Sequence, residues 1–284
     1  MRDRREIETQ IRNTPMFSHS AMRLIEVTND DDHSLRDVVK IVEADSVLTA
    51  QIFKIVNSAA FGFSGAITSI SRAAALLGDK TIVGLAIGQS QSQLYNSELQ
   101  GYHADAGSLW AHCLRCAIAS RELANYTAGK VSSELAYTAG ILHDIGKSLI
   151  SNFIKGKTEI LVKNIDDGNA TDFLHAERRN IGIDHCQAGS ELARHWRFPE
   201  PLVAACGHHH APKEASPDHR ALLYVVHLGD IIAMMGGSAT GADGLLYAMD
   251  ENYKEYVDLD ADGLHKVLMN VTIEFERTKD MIAV

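Results

Sequence analysis

The sequence predicts an all-α protein: a multi-helix bundle with an N-terminal helical subdomain. Three observations carry this reading. Apolar residues recur at spacings of three and four along most of the chain, which places them on one face of a helix. Alternating β-branched runs are missing, and only 5 prolines punctuate 284 residues. A content of 45% hydrophobic and 23% charged residues suits a soluble globular chain, long enough to bury a core without staples.

The elements follow in order. Met22, Ile25, Leu35, Val38, Val39, Ile41 and Val42 keep helical spacing, with the polar break Thr28-Asn29-Asp30-Asp31-Asp32 between two helices. Ser34 is a natural cap for the second, and Asp37 adds charge to its first turn. A helix over 46–58 is interrupted by Phe61-Gly62-Phe63-Ser64-Gly65, because glycines there break the pattern. Another covers 71–77 and stops near Gly78, and 81–94 reads as an apolar helix. Residues 97–107 are polar and turn-like and mark a boundary. Three parts are therefore expected: an N-terminal helical part (1–100), a helical core (101–235) and a C-terminal helical extension (236–284). Core helices are expected over 109–126, 133–143, 150–165 with a break at Gly156, 184–196, 200–209 and 220–235. Gly236-Gly237-Ser238 ends the pattern, and 264–281 is a last amphipathic helix.

Charge and composition exclude several functions. The net charge is −10 and the pI about 5.7. Nucleic-acid binders usually carry a basic face, and no Lys/Arg cluster supplies one, so no nucleic-acid partner is expected. No apolar run reaches the ~18 residues of a membrane span, so no membrane partner is expected either. Met1-Arg2-Asp3-Arg4-Arg5-Glu6 leads into mixed charge and does not resemble a secretory signal, so a cytoplasmic protein is expected. Four cysteines (Cys113, Cys116, Cys186 and Cys206) are too few for a disulfide scaffold. Cys113 and Cys116 have Cys-x-x-Cys spacing, which can mark a redox or zinc site. With no second pair, on an apolar helix, they read better as small hydrophobes. Phe53, Phe61 and Phe63 read as core, Arg72 and Lys80 as surface, and Asp30-Asp31-Asp32 as a solvated turn.

The chemistry is concentrated in the second half, where ten of 14 histidines fall between His112 and His227. Leu142-His143-Asp144-Ile145-Gly146-Lys147 places an imidazole, a carboxylate and a cation within one turn. Neighbouring helical residues differ by ~100° in direction. His143 and Asp144 can therefore serve one ion, or two adjacent ions, only if that turn faces an internal cavity. Gly146 would let a phosphate or a partner helix approach the backbone, and Lys147 supplies a cation for an anionic substrate. His112, His185, His209, His210 and Asp230 add donors. Imidazole and carboxylate suit Fe, Mn, Ni or Zn, so one or two divalent ions are expected. Taken singly, His112 reads as a hydrogen-bonded core histidine and Asp230 as a polar-face acid. Asp184 can cap a helix while His185 points inward, and His208-His209-His210 can end one beside its negative dipole.

At these residues the chain resembles a known family. His112, then His143-Asp144, then Asp230 follow the motif order of the HD superfamily of metal-dependent phosphohydrolases, over about 109–230. From about Thr14 the whole chain resembles the HDOD branch of bacterial signalling and regulatory proteins. The similarity runs through Phe53-Lys54-Ile55-Val56-Asn57-Ser58-Ala59-Ala60-Phe61-Gly62, residues 70–78, Ala139-Gly140-Ile141-Leu142-His143-Asp144-Ile145-Gly146-Lys147 and residues 203–212. The resemblance implies an HD-type bundle. It places His112, His143, Asp144 and Asp230 on a first metal site, with Asp144 bridging to a second. His185, His209 and His210 fall on that second site, as in the related HD-GYP branch. Lys147 falls on the lysine that contacts substrate phosphate, which makes Lys147 and Asp144 the catalytic candidates. The Gly-Tyr-Pro segment of cyclic-di-GMP phosphodiesterases is replaced by Ala211-Pro212-Lys213-Glu214-Ala215-Ser216, which argues against that substrate. HDOD members often have degraded ligands and many are considered non-catalytic, whereas this chain keeps the set.

Two readings result. One is a regulatory HDOD protein that retains its divalent-metal site and binds a signalling protein or a phosphorylated small ligand, with homo-oligomerisation open. The other is an active phosphohydrolase acting on a phosphorylated small molecule or nucleotide. In the second, the metal activates water and polarises the phosphoryl oxygen while Lys147 balances developing charge.

Overall fold

The computed structural model describes residues 2–30, 32–58, 66–244 and 246–279, and these contain helices and no strand. In chain order the helices are α1 (Arg2–Asn13), α2 (His19–Thr28), α3 (Leu35–Glu43), α4 (Ser46–Val56), α5 (Ile70–Leu77) and α6 (Asp79–Ser90). Then come α7 (Ser92–Asn96), α8 (Ser108–Ala124), α9 (Ser133–Leu142), α10 (Gly146–Ile154) and α11 (Thr158–Asp166). The last are α12 (Phe173–Ile181), α13 (His185–His195), α14 (Glu200–His208), α15 (Arg220–Met235) and α16 (Ala261–Thr278). The all-α expectation therefore holds.

The chain divides into two compact units, residues 1–15 with 93–272 and residues 16–92 with 273–284. The division falls at 92/93 where the sequence pointed to 100/101, and the first 15 residues join the unit of the second half.

In the smaller unit, α2 packs on α3 and α6, and α3 on α5. Polar side chains start these helices by accepting from orphan amides. Ser18 Oγ accepts from Ala21 N, Asp45 Oδ1 from Leu48 N, and Ser69 Oγ from Arg72 N. At the start of α3, Ser34 N and Oγ both donate to Asp37 Oδ2. Asn57 exchanges two hydrogen bonds with the backbone of Ile67 and so fixes the chain on either side of the Phe61–Gly65 stretch, which lies outside the described residues. The apolar run expected over 81–94 is two helices, because the backbone leaves helical geometry at Gln91 (φ −127°, ψ 34°).

In the larger unit, α8 lies between α9 and α15. Most of its side chains are buried, including His112 at 0% exposure. Gly229 brings α15 against α8: a Cβ there would run into Ser120 Oγ and Cys116 O. The 150–165 expectation resolves into α10, which begins earlier at Gly146, and α11, separated at Gly156. Gly146 faces the carbonyl of His185 and the amide of Gly189 so closely that no side chain fits. Of the two approaches the sequence left open to Gly146, the partner helix α13 is the one observed. Asp184 caps α13 through Gln187 N at 2.7 Å, and its other oxygen takes Arg178 Nη1 at 2.6 Å. Two helices lacked a clear apolar period, α1 and α12. Each hides a few large residues among charges, such as Ile7, Ile11 and Phe173.

Candidate metal centre

Five packed elements each deliver side chains to one buried region of the larger unit. α8 brings His112, and the α9–α10 junction brings His143, Asp144 and Lys147. α13 brings His185, the end of α14 brings His209 and His210, and α15 brings Asp230. His112, His143, His185 and His209 are fully buried, and Asp144, Asp230 and Lys147 nearly so. His208, the remaining member of the triplet, stays half-exposed.

The donors form two groups that share Asp144. In the first, His112 Nε2 lies 3.2 Å from His143 Nε2, 3.1 Å from Asp230 Oδ1 and 3.3 Å from Asp144 Oδ2. His143 Nε2 is 3.6 Å from Asp144 Oδ2 and 3.8 Å from Asp230 Oδ1. In the second group, Asp144 presents Oδ1 to His185 Nε2 at 3.5 Å and to His209 Nε2 at 3.4 Å. His210 Nδ1 is 3.7 Å from Asp230 Oδ2. Donors that share an ion bound at ~2.1 Å stand ~3–3.5 Å apart, so both groups are close to the spacing a cation needs.

Hydrogen bonds on the far side of each ring fix its orientation. His112 Nδ1 is 2.6 Å from Ser238 O, His143 Nδ1 2.8 Å from Gly140 O, and His209 Nδ1 3.0 Å from Ala205 O. A carbonyl only accepts, so each Nδ1 carries a proton, and in the neutral form that a metal requires each ring turns a bare Nε2 inward. His185 Nδ1 is held by the Glu177 carboxylate at 2.9 Å, and Glu177 also accepts from His185 N and from Tyr102 OH. In that form lone pairs face lone pairs and carboxylate oxygens. Asp144 Oδ1, His185 Nε2 and both nitrogens of His210 are buried without a hydrogen bond. Such orphans cost free energy unless a cation satisfies them, and metal-ligating histidines are typically backed in this way. The donor set fits one or two divalent ions.

Charge agrees with geometry. Asp144, Glu177, Asp230 and Asp243 are buried carboxylates, and Lys147 is a buried cation among them. Burial opposes the charged imidazolium of His112, but Asp144 and Asp230 outweigh it and raise its pKa to about 9. Against the same penalty, Cys186 and Asp144 raise His209 to about 10, and Glu177 raises His185. Burial keeps His143 and His210 low. Burial also works against the Asp144 carboxylate, yet Lys147 and His143 hold it well below the usual range. Protons on the raised histidines thus stand where metal charge would otherwise balance the carboxylates.

Lys147 is fully engaged. Its Nζ is 2.7 Å from Asp144 Oδ2, 2.6 Å from Asp243 Oδ2, and donates to Thr240 Oγ1 at 2.8 Å. Four participants carried no signal in the sequence. Glu177, Thr240 and Asp243 act on other site residues, and Tyr247 stacks on His210, so none belongs to a ligand-spacing pattern. Cys186 was seen only as a cysteine. Its Sγ lies 3.8 Å from His209 Nε2, and against burial His209 and His185 lower its pKa. Cys113 and Cys116 are buried, and burial pushes both thiols up, which suits the hydrophobic reading.

A helical bundle that converges histidines and aspartates from separate helices on a buried polar centre defines the class: an all-α protein with a candidate metal site. Residues 14–212 match the HDOD domain model, and the chain belongs to the HDOD family. It is similar to an uncharacterised protein of Treponema pallidum (strain Nichols), 24% identical over 230 residues that span 78% of this chain and 42% of that protein. Its fold is similar to the crystal structure of a candidate signal transduction protein of Marinobacter aquaeolei VT8, with a TM-score of 0.75 at 20% identity, covering 95% of this chain and 59% of the other. It is also similar to a candidate phosphohydrolase of Shewanella amazonensis SB2B, with a TM-score of 0.68 at 23% identity and 98% coverage of both. The chain therefore spans less than two thirds of the first two. No helix among the described residues is long and apolar enough to cross a membrane.

Proposed function

We propose that this chain is a regulatory HDOD protein that retains a divalent-metal centre and works in the cytoplasm through a signalling partner or a phosphorylated small ligand. One observation carries the metal assignment: His112, His143 and His209 are locked by backbone carbonyls with their Nε2 atoms converging on Asp144 and Asp230. His112, His143, Asp144 and Asp230 would hold one ion. Asp144, His185, His209 and His210 would hold the other. Fe, Mn, Ni and Zn all suit these donors. Burial supports the regulatory reading, since none of these side chains is more than 3% exposed. The similarity to a candidate signal transduction protein supports it as well.

The alternative, a metal-dependent phosphohydrolase, is supported by the complete donor set, by Lys147 and by the similarity to a candidate phosphohydrolase. Bound ions would supply Lewis acidity toward a phosphoryl group and lower the pKa of water. Asp144 would orient both donor groups, and Glu177 would keep His185 in its ligating tautomer. Lys147 would hold its proton, since Asp144 and Asp243 raise its pKa against burial, and would face the phosphoryl oxygens as a fixed positive charge.

Metal analysis of the purified protein, followed by a turnover screen with added Mn over phosphomonoesters, nucleotides and cyclic dinucleotides, separates the two. Bound metal without turnover is expected. Turnover would select the alternative, and metal-free protein that takes up no divalent ion would remove the basis of both.

A further inference from the structure

The segment that follows α15 lies against the candidate centre, and four of its residues touch that centre. Ser238 O takes His112 Nδ1, and Thr240 Oγ1 takes Lys147 Nζ. Asp243 Oδ2 sits 2.6 Å from Lys147 Nζ and accepts from Tyr247 OH at 2.8 Å. The Tyr247 ring stacks on His210, centroids 3.8 Å apart and planes 14° off parallel, and meets His185 edge-on at 5.8 Å. Behind the segment, Ala242 N bonds Tyr102 O at 2.7 Å and Asp250 N bonds His227 Nε2 at 3.0 Å.

Its own burial is polar. Among the described residues of 238–250, those buried are Ser238, Thr240 and Asp243, and no apolar side chain joins them. Polar contacts with the centre hold it down together with the Tyr247 ring, which also meets Phe173 at 6.4 Å. An ammonium has three donors, and those of Lys147 face Asp144, Asp243 and Thr240. Asp144 belongs to the centre, so an external anion can reach Lys147 only where the segment's Asp243 and Thr240 now sit, and Asp243 is the anion of the two.

We propose that residues 238–244 and 246–250 form an autoinhibitory strap. In it Asp243 is a resident anion on Lys147 and Tyr247 covers His210, and a phosphate-bearing small ligand opens the strap by taking the place of Asp243. The ligand class rests on the metal reading above, because divalent charge is what makes a phosphate dianion a better occupant than one carboxylate. The strap contacts stand without it. Opening and ligand binding are linked reciprocally, so whatever weakens a mostly closed strap strengthens ligand binding by up to the same factor.

The test uses the full-length protein, wild type, Asp243→Asn and Tyr247→Ala, with inorganic phosphate as the probe and metal content measured on every sample. Amide hydrogen exchange across 238–250 is expected to accelerate in both variants, and in wild type when phosphate is added. Phosphate is expected to bind Asp243→Asn roughly tenfold more tightly than wild type, within the usual range of coupling between sites. Exchange in the strap that is unchanged in both variants overturns the proposal, as does equal phosphate affinity in metal-loaded wild type and Asp243→Asn. Should Asp243→Asn prevent folding, Tyr247→Ala decides alone, through strap exchange and phosphate affinity. Absence of metal from every sample would instead count against the metal reading, while the exchange data would still judge the strap.

Discussion

Asp144 is the residue on which both donor groups depend, since Oδ2 faces His112 and His143 while Oδ1 faces His185 and His209. Asp144→Ala is expected to empty both positions, whereas Asp230→Ala should mainly weaken the one at His112. Metal-to-protein ratios from mass spectrometry read the difference, and equal losses in the two variants would count against a shared carboxylate. Glu177→Gln leaves the centre's charge set one short and weakens the hold on His185 Nδ1. Loss of such a backing group typically costs ~10–100-fold in metal affinity, and competition with a chelator would measure it. A pH dependence follows from the raised histidines. Without metal, their protonated forms contribute stability fully below the ordinary imidazole pKa of ~6.5, and this is lost as pH climbs through about 9 for His112 and about 10 for His209. Metal competes for the same nitrogens. Affinity should therefore rise with pH over that interval with release of protons, and a pH-independent titration would contradict the assignment. His143 and Asp144 were legible because ligand types adjoin in sequence. Glu177 was not, because it acts through a histidine eight positions away across a helix break.

At the scale of elements, two glycines decide how closely the helices that carry the donors approach. Gly146 lets α10 meet α13, and Gly229 lets α15 meet α8. A methyl at either site meets backbone atoms, which cannot swing aside as a side chain can. Overpacking of this kind typically costs ~1–3 kcal/mol. Gly146→Ala is expected to lower the melting temperature and to reduce metal content at the position served by His185. A variant with wild-type melting and metal content would show that the contact yields. The strongly apolar helices α8 and α15 were legible from composition and spacing, and the caps at Ser34 and Asp184 from residue type. The helix α12 was not, because Arg178, Arg179 and Asn180 crowd its short span while Phe173 and Glu177 are buried.

For the whole molecule, the two compact units give separate handles on stability. A chain with two units need not unfold in one step, and a ligand raises only the stability of what binds it. Calorimetry with and without a chelator is expected to move the transition of the unit that contains residues 93–272 and to leave the other in place. A uniform shift would mean that the units unfold together. The seating of residues 1–15 with the second half was beyond sequence reading, because the helices that α1 packs on, α10 and α13, lie more than 130 positions away.

The carbonyl-backed imidazoles bear on how the centre can change over evolutionary time. The acceptors at Ser238, Gly140 and Ala205 are main-chain oxygens, which every amino acid carries. Point mutation at Ser238 or Ala205 leaves the acceptor in place, whereas at Gly140 a Cβ would run into the Ala117 backbone and shift the carbonyl. His185 leans instead on a side chain, Glu177. Ring orientation at this centre is therefore buffered against mutational drift at His112 and His209 and exposed to a single codon change at His143, through Gly140, and at His185, through Glu177. Lineages that give up one metal position would be expected to lose Glu177 early.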